Sequence, residues 1–185
     1  MIFRTANWVD VVEMLFWNIT VGTVFHVALL VVCLKRSTKA YDPGRRRYQA
    51  KNWERGGKVY KERWKIHLWK EKVPQFVSKD GFSKEHLEQN PTVAYVDEFI
   101  METCRGEWYH STSLWMVGFV LLANPIQVSW LFSLGLLSVH VPCKVIQRYN
   151  RFRLQVLRKK LLRDLQKQAN QQSKSSILLS NPEFE

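Results

Sequence analysis

Glu107 and His110 stand three residues apart at the edge of an apolar run, a spacing that puts both on one face of a helix. A carboxylate beside an imidazole orients the ring and raises its basicity, so the pair is a candidate general base toward a hydroxyl. Glu102 and Arg105 have the same separation and are placed to pair with each other. Past the next apolar stretch comes Gln147-Arg148-Tyr149-Asn150-Arg151, with Arg153 close behind. Guanidinium forks grip phosphate or carboxylate at two points and can stabilise a developing oxyanion. Ionisable groups at membrane level are costly, and they mark function more often than packing. His110, Glu107, Arg105 and Glu102 are therefore the candidate catalytic group, and Arg148, Tyr149, Asn150, Arg151 and Gln147 the candidate substrate-binding group. The competing reading is a set of interfacial ion pairs that seat the ends of membrane helices.

Several templates are missing. No His is followed five positions later by Asp, there is no G-x-S-x-G elbow, and there is no H-E-x-x-H pair. Cys33, Cys104 and Cys143 form no C-x-x-C pair, so neither a disulfide framework nor a metal site is expected, and no cofactor is implied. Cys104 is a conceivable nucleophile, with only the adjacent Arg105 to favour its thiolate. Direct transfer is the simpler chemistry.

The elements that must position these residues are helical and apolar. Leu15 to Leu34 is interrupted only by Asn18, Thr20, Thr23 and His26, close to the ~20 residues that cross a bilayer core. Lys35-Arg36 stops it. It is too long for the core of a cleaved signal and lacks a small-residue cleavage site, so an anchor is favoured over a leader. Asn18 and His26 read as hydrogen-bonding groups between helices. A second apolar region, Leu114 to Ile146, is broken at Asn124-Pro125.

Charge chooses between a kinked span and a hairpin there. The chain carries a net +12, with fourteen Lys/Arg against four Asp/Glu in residues 35–75 and nine against one in residues 144–167. Both blocks belong on the cytoplasmic side, and only a hairpin puts them there together. The expectation is an all-α integral membrane protein with about three membrane segments, near 11–34, 108–123 and 126–146, plus interfacial amphipathic helices. A cytoplasmic basic loop over 35–107 separates the first two segments, and residues 1–167 form one membrane-embedded domain. The middle segment has few purely apolar residues, and a re-entrant path is its alternative.

Tyr60, Trp64 and Leu68 recur at helical spacing among cations, as expected of an interfacial helix within 53–73. Leu154, Leu157, Leu161 and Leu165 give a second amphipathic helix over 151–167, which packs on lipid or on protein. Residues 168–185 are polar and read as a disordered tail. The cations border apolar spans and form no free basic domain, which argues for the bilayer and against nucleic acid as partner.

Glu102-x-x-Arg105-x-Glu107-x-x-His110, an apolar hairpin, and then Pro142 and Gln147-Arg148-Tyr149-Asn150-Arg151-x-Arg153-Leu154 together resemble the glycosyl-4,4'-diaponeurosporenoate acyltransferase family of staphyloxanthin-type carotenoid synthesis. Trp53-Glu54-x-x-Gly57-x-x-Tyr60, Trp69-Lys70-x-x-Val73-Pro74 and Lys84-x-His86-Leu87 are similar to it as well. The resemblance covers about residues 52–154. It implies transfer of a fatty acyl group to a sugar hydroxyl of a glycosylated carotenoid acid or related glycolipid at the cytoplasmic face of the cell membrane. The partners implied are an acyl donor (acyl-CoA or acyl carrier protein) and the glycolipid acceptor. Three short spans are few to enclose a large lipid, so a homo-oligomer is a further expectation. The rival class is a non-catalytic membrane adaptor or lipid-binding protein, for which basic loops and not Glu107 or His110 would matter. A small transport subunit is supported only by His26 and Asn18.

Overall fold

The computed structural model describes residues 8–73 and 90–180; Pro74, Lys84, His86 and Leu87 of the sequence patterns lie outside them. The described residues hold helices and turns and no strand. Helix α1 spans Trp8–Lys35, with Asp10 in its first turn and Lys35 in its last, each at the pole of the helix dipole that favours its charge. A short helix α2, Lys58–Glu62, follows within the basic loop. Then come α3, Val93–Ser113, capped by the Thr92 hydroxyl accepting from the Tyr95 N–H at 3.2 Å, and α4, Trp115–Ala123. The last helix, α5, runs from Ile126 to Ser180 and carries Pro142 inside it.

The chain reverses between α4 and α5. Asn124 precedes Pro125 and is extended (φ −119°, ψ 157°), because the proline ring bars a helical residue before it. That ends α4. The Ser129 hydroxyl donates to the carbonyls of Asn124 at 2.9 Å and Pro125 at 2.8 Å, pinning the turn. The Asn124 side chain also exchanges two hydrogen bonds with Asn18 of α1, at 2.7 and 3.0 Å. Asn18 is thus a bridge between helices, as its position in an apolar run predicted. From that turn α5 runs back antiparallel to α4 and α3, so His140 meets His110 and, further along, Arg148 meets Glu107.

Two helices, α1 and the stretch of α5 that starts at Val128, are long and apolar enough to cross a membrane by length and composition. Both turn much of that surface outward: Val12, Phe16, Val24 and Val27 on α1 and Trp130, Leu131, Leu134 and Val139 on α5 are exposed. The expected middle segment, 108–123, is divided between the end of α3 and the nine-residue α4, which alone rises only ~14 Å. It is not among the helices that are long and apolar enough to cross a membrane.

The loop after α1 folds onto the polar end of the hairpin. Tyr41 and Tyr48 pack with Leu29, Cys33, Cys104 and Trp108, while Tyr60 and Ile66 pack with Val145, Ile146 and Tyr149. Here the single interfacial helix expected within 53–73 is not formed. Arg55 (φ 50°), Gly56 (66°), Gly57 (90°) and Lys65 (45°) are left-handed, which ends a right-handed helix wherever it occurs. Tyr60 therefore points inward, whereas Trp64 and Leu68 remain exposed. Gly57 needs to be glycine twice over: a Cβ there would lie 2.9 Å from the Phe152 side chain of α5, on top of the backbone strain. Gly57→Ala is expected to cost at least ~1–2 kcal/mol, read as a lowered thermal midpoint of the detergent-solubilised protein.

The leucine stripe after the hairpin leans on protein. Leu154 is buried against Val96, Phe99 and Ile100 of α3, with Leu157 and Leu161 partly buried beside it, and Leu165 is exposed. Beyond it α5 continues to Ser180 where composition suggested disorder in 168–185. Residues 164–176 are exposed along this part, so helix-forming Gln, Lys and Ala carry it without tertiary support.

Candidate active site

The polar end of the hairpin encloses four charged side chains, all buried: Glu54 from the loop, Glu107 from α3, and Arg148 and Arg151 from α5. Arg148 Nε donates to Glu54 Oε1, and its Nη2 donates to Glu54 Oε2 at 2.8 Å and to the Gln49 carbonyl at 2.7 Å. Its Nη1 reaches Glu107 Oε1 at 3.0 Å and the Arg47 carbonyl at 3.3 Å. Five N–H groups thus meet five acceptors, and the guanidinium is saturated. Arg151 Nη2 donates to the other Glu107 oxygen, and its Nη1 reaches the Tyr48 carbonyl at 3.3 Å. Two carboxylates and two guanidiniums make the cluster neutral, which is what burial demands.

Glu54 completes its shell with the Tyr60 hydroxyl and, at 2.6 Å, the Lys51 backbone N–H. Burial works to raise its carboxyl pKa, but the bonds from Arg148, Tyr60 and Lys51 outweigh it and hold the value below the ordinary carboxylate range. Burial, reinforced by the bond to Glu54, pushes the Tyr60 phenol well above its usual value, so it stays a donor. The pattern Trp53-Glu54-x-x-Gly57-x-x-Tyr60 signalled this loop, although no charge spacing in the sequence says that Glu54 meets Arg148.

The nine sequence-derived site residues separate into several environments. Glu107, Arg148 and Arg151 come together in the buried lattice. Glu102 and Arg105 pair with each other, as their spacing predicted, and the Arg105 guanidinium lies 5.3 Å from the Tyr41 ring centre. Arg105 Nε and Arg151 Nε are buried donors without an acceptor among the described residues. Gln147 packs on Gly106, where a Cβ would come within 2.8 Å of it, so glycine lets α3 and α5 approach here. Tyr149 is buried beside Tyr60, and Asn150 is half-buried.

His110 departs from expectation. Both oxygens of Glu107 accept from arginines, Oε1 from Arg148 and Oε2 from Arg151. His110 Nδ1 lies 3.1 Å from Nδ1 of His140 of α5, and His140 Nε2 lies 3.0 Å from His26 Nε2 of α1. His26 thus bridges helices as its position suggested. His140 carried no signal in the sequence, being one polar residue in an apolar run.

A family profile described as glycosyl-4,4'-diaponeurosporenoate acyltransferase matches residues 44–160. The chain belongs to this family. The name denotes acyl transfer in carotenoid synthesis. No curated protein and no solved structure matches the chain. The glycosyl-4,4'-diaponeurosporenoate acyltransferase segment contains Glu54, Glu107, His110, His140, Arg148 and Arg151, while His26 and Asn18 of α1 precede it.

For this acyltransferase family member, a covalent thiol route is unfavourable. Cys104 is fully buried, and burial pushes its thiol up to about 11, so the thiolate is scarce at neutral pH. Cys104→Ala is expected to leave the acyl-transfer rate within about twofold of wild type in a lipid-product assay, since a protonated buried thiol contributes only packing. A loss of a hundredfold or more would restore the thiol to the mechanism.

Proposed function

We propose that this protein moves a fatty acyl group from a thioester donor, acyl-CoA or acyl carrier protein, to a sugar hydroxyl of a glycosylated carotenoid acid or related glycolipid. His110 is its general base. The observation that carries this reading is the position of His110: within the family segment, one turn from the buried Glu107–Arg148–Arg151 lattice, with one ring nitrogen held by His140.

In the reaction, His110 takes the proton of the sugar hydroxyl as its oxygen attacks the thioester carbon. The carbon–oxygen bond forms, the carbonyl oxygen gains negative charge, and the carbon–sulfur bond then breaks. The proton passes from His110 to the leaving thiolate. The Arg105 guanidinium, braced by Glu102, serves the oxyanion or the donor's phosphates. Arg148 has no donor left for a ligand, so its role is to hold Glu54 and Glu107 and thereby the ends of the hairpin. Gln147, Tyr149 and Asn150 shape the acceptor side of the same helix turns.

The orientation proposed has the N-terminus outside, α1 and the apolar part of α5 crossing the membrane, and the end of α3 with α4 dipping into it. The chain reversal at Asn124-Pro125 supports this, because it returns both charged clusters to the basic, cytoplasmic side. Lipid mass spectrometry on cells supplied with the glycosylated carotenoid acid tests the reading. The expected result is a species heavier by one fatty acyl group, present only when the chain is expressed. No acylated product from protein confirmed in the membrane would rule this acceptor class out.

A further inference from the structure

His110 of α3, His140 of α5 and His26 of α1 form a chain of three histidines. His26 Nδ1 lies 2.6 Å from the Gly22 carbonyl, one turn back in α1. A carbonyl only accepts, so His26 carries its proton on Nδ1. Nε2 of a neutral His26 is then an acceptor, and His140 Nε2, 3.0 Å away, must donate to it. That leaves His140 Nδ1 as an acceptor, 3.1 Å from His110 Nδ1, which must donate in turn. The unprotonated nitrogen of His110 is thereby Nε2.

The surroundings keep this order intact. The His26 and His140 rings are almost parallel (6°), with centres 5.0 Å apart, and the Tyr109 ring of α3 lies 6.4 Å from His140, centre to centre, at 63°. The groups facing His140 are thus His26 from α1 and His110 and Tyr109 from α3. His26 and His140 border a groove of about 430 Å³ whose other walls include Leu15, Leu131, Phe132 and Leu136. Those side chains offer no competing hydrogen bonds.

We propose that His140, held by His26 and the Gly22 carbonyl, is a positioning residue that fixes His110 in the tautomer whose Nε2 is the base. A backbone carbonyl in α1 thus determines which ring nitrogen in α3 abstracts the proton. This rests on the acyl-transfer reading for its consequence but not for its geometry.

Nitrogen-15 spectra of histidine-labelled full-length protein in lipid bilayers test the geometry directly. The expected result is His110 protonated on Nδ1 and His140 on Nε2; His110 protonated on Nε2 overturns the proposal. The acyl-transfer assay tests the consequence with two variants. His140→Leu cannot accept, and its kcat is expected to fall about 10²-fold or more with KM little changed. His140→Gln accepts through its amide oxygen and donates through its nitrogen, so it is expected to stay within about tenfold of wild type and to keep the His110 tautomer. Wild-type kcat in His140→Leu overturns the proposal. A wild-type protein with the expected tautomers and no acyl product would overturn the acyltransferase reading and the catalytic use of His140 while the tautomer order stands, so the two failures are separable.

Discussion

His110→Gln is expected to reduce kcat for acyl transfer by about 10²–10⁴-fold, the range that a positioned proton acceptor contributes, with little change in KM. Glutamine keeps hydrogen-bonding groups toward His140 but has no basic nitrogen to take the sugar proton. The effect belongs to chemistry and not to folding, so the thermal midpoint should move little. Glu107→Gln supplies the contrast. Its carboxylate is bound by Arg148 and Arg151, so its loss should appear first as lost stability and only secondarily as lost turnover. Steady-state rates and thermal melts of the two purified variants decide the matter. A His110→Gln protein retaining half of wild-type kcat would remove His110 from the chemistry.

The other large effect is expected at Arg148. Arg148→Met leaves Glu54 and Glu107 buried without their shared cation, and removing one partner from a buried ion pair costs about 3–5 kcal/mol. The readouts are a lowered denaturation midpoint and early proteolysis of the loop that carries Glu54. Adding Glu54→Gln to Arg148→Met should recover part of the loss, because the amide removes an uncompensated charge. The pH dependence follows from the same bonds. The Glu54 carboxyl is held below its ordinary value in the folded state, so its contribution is complete above the unfolded value near ~4.3. It declines as pH falls through the folded value. Wild type should therefore lose stability on acidification over that window, and Glu54→Gln should lose less of it. An acid limb equally steep in both proteins would place the titrating group elsewhere.

The parts of this molecule governed by composition were readable before its structure. Apolar length gave α1 and the first part of α5, the basic blocks on either side of the second apolar region gave the reversal at Asn124-Pro125, and helical spacing gave the Glu102–Arg105 pair. The parts governed by long-range choice were not. Spacing places Glu107 and His110 on one helix face but says nothing of what approaches that face, and Arg148 and His140 approach it separately. Nor does periodicity register a positive φ, so the stripe at Tyr60, Trp64 and Leu68 reads as one helix although Lys65 breaks it. Glu54 was visible only through the family resemblance, because its partner lies 94 residues away.

In the proposed orientation the neutral lattice also implies an order of biogenesis. While the chain is being inserted, Arg148 and Arg151 are unpaired cations and add to the positive count that, in the proposed orientation, retains the end of the hairpin in the cytoplasm. Their carboxylates arrive from the basic loop and from α3, and both must already be on that side before the ions can meet. Closing a contact across 94 residues is entropically slow compared with forming the hairpin itself. In the proposed orientation the arginines act first as topological signals and afterwards, once paired with Glu54 and Glu107, as the centre of the polar end of the hairpin.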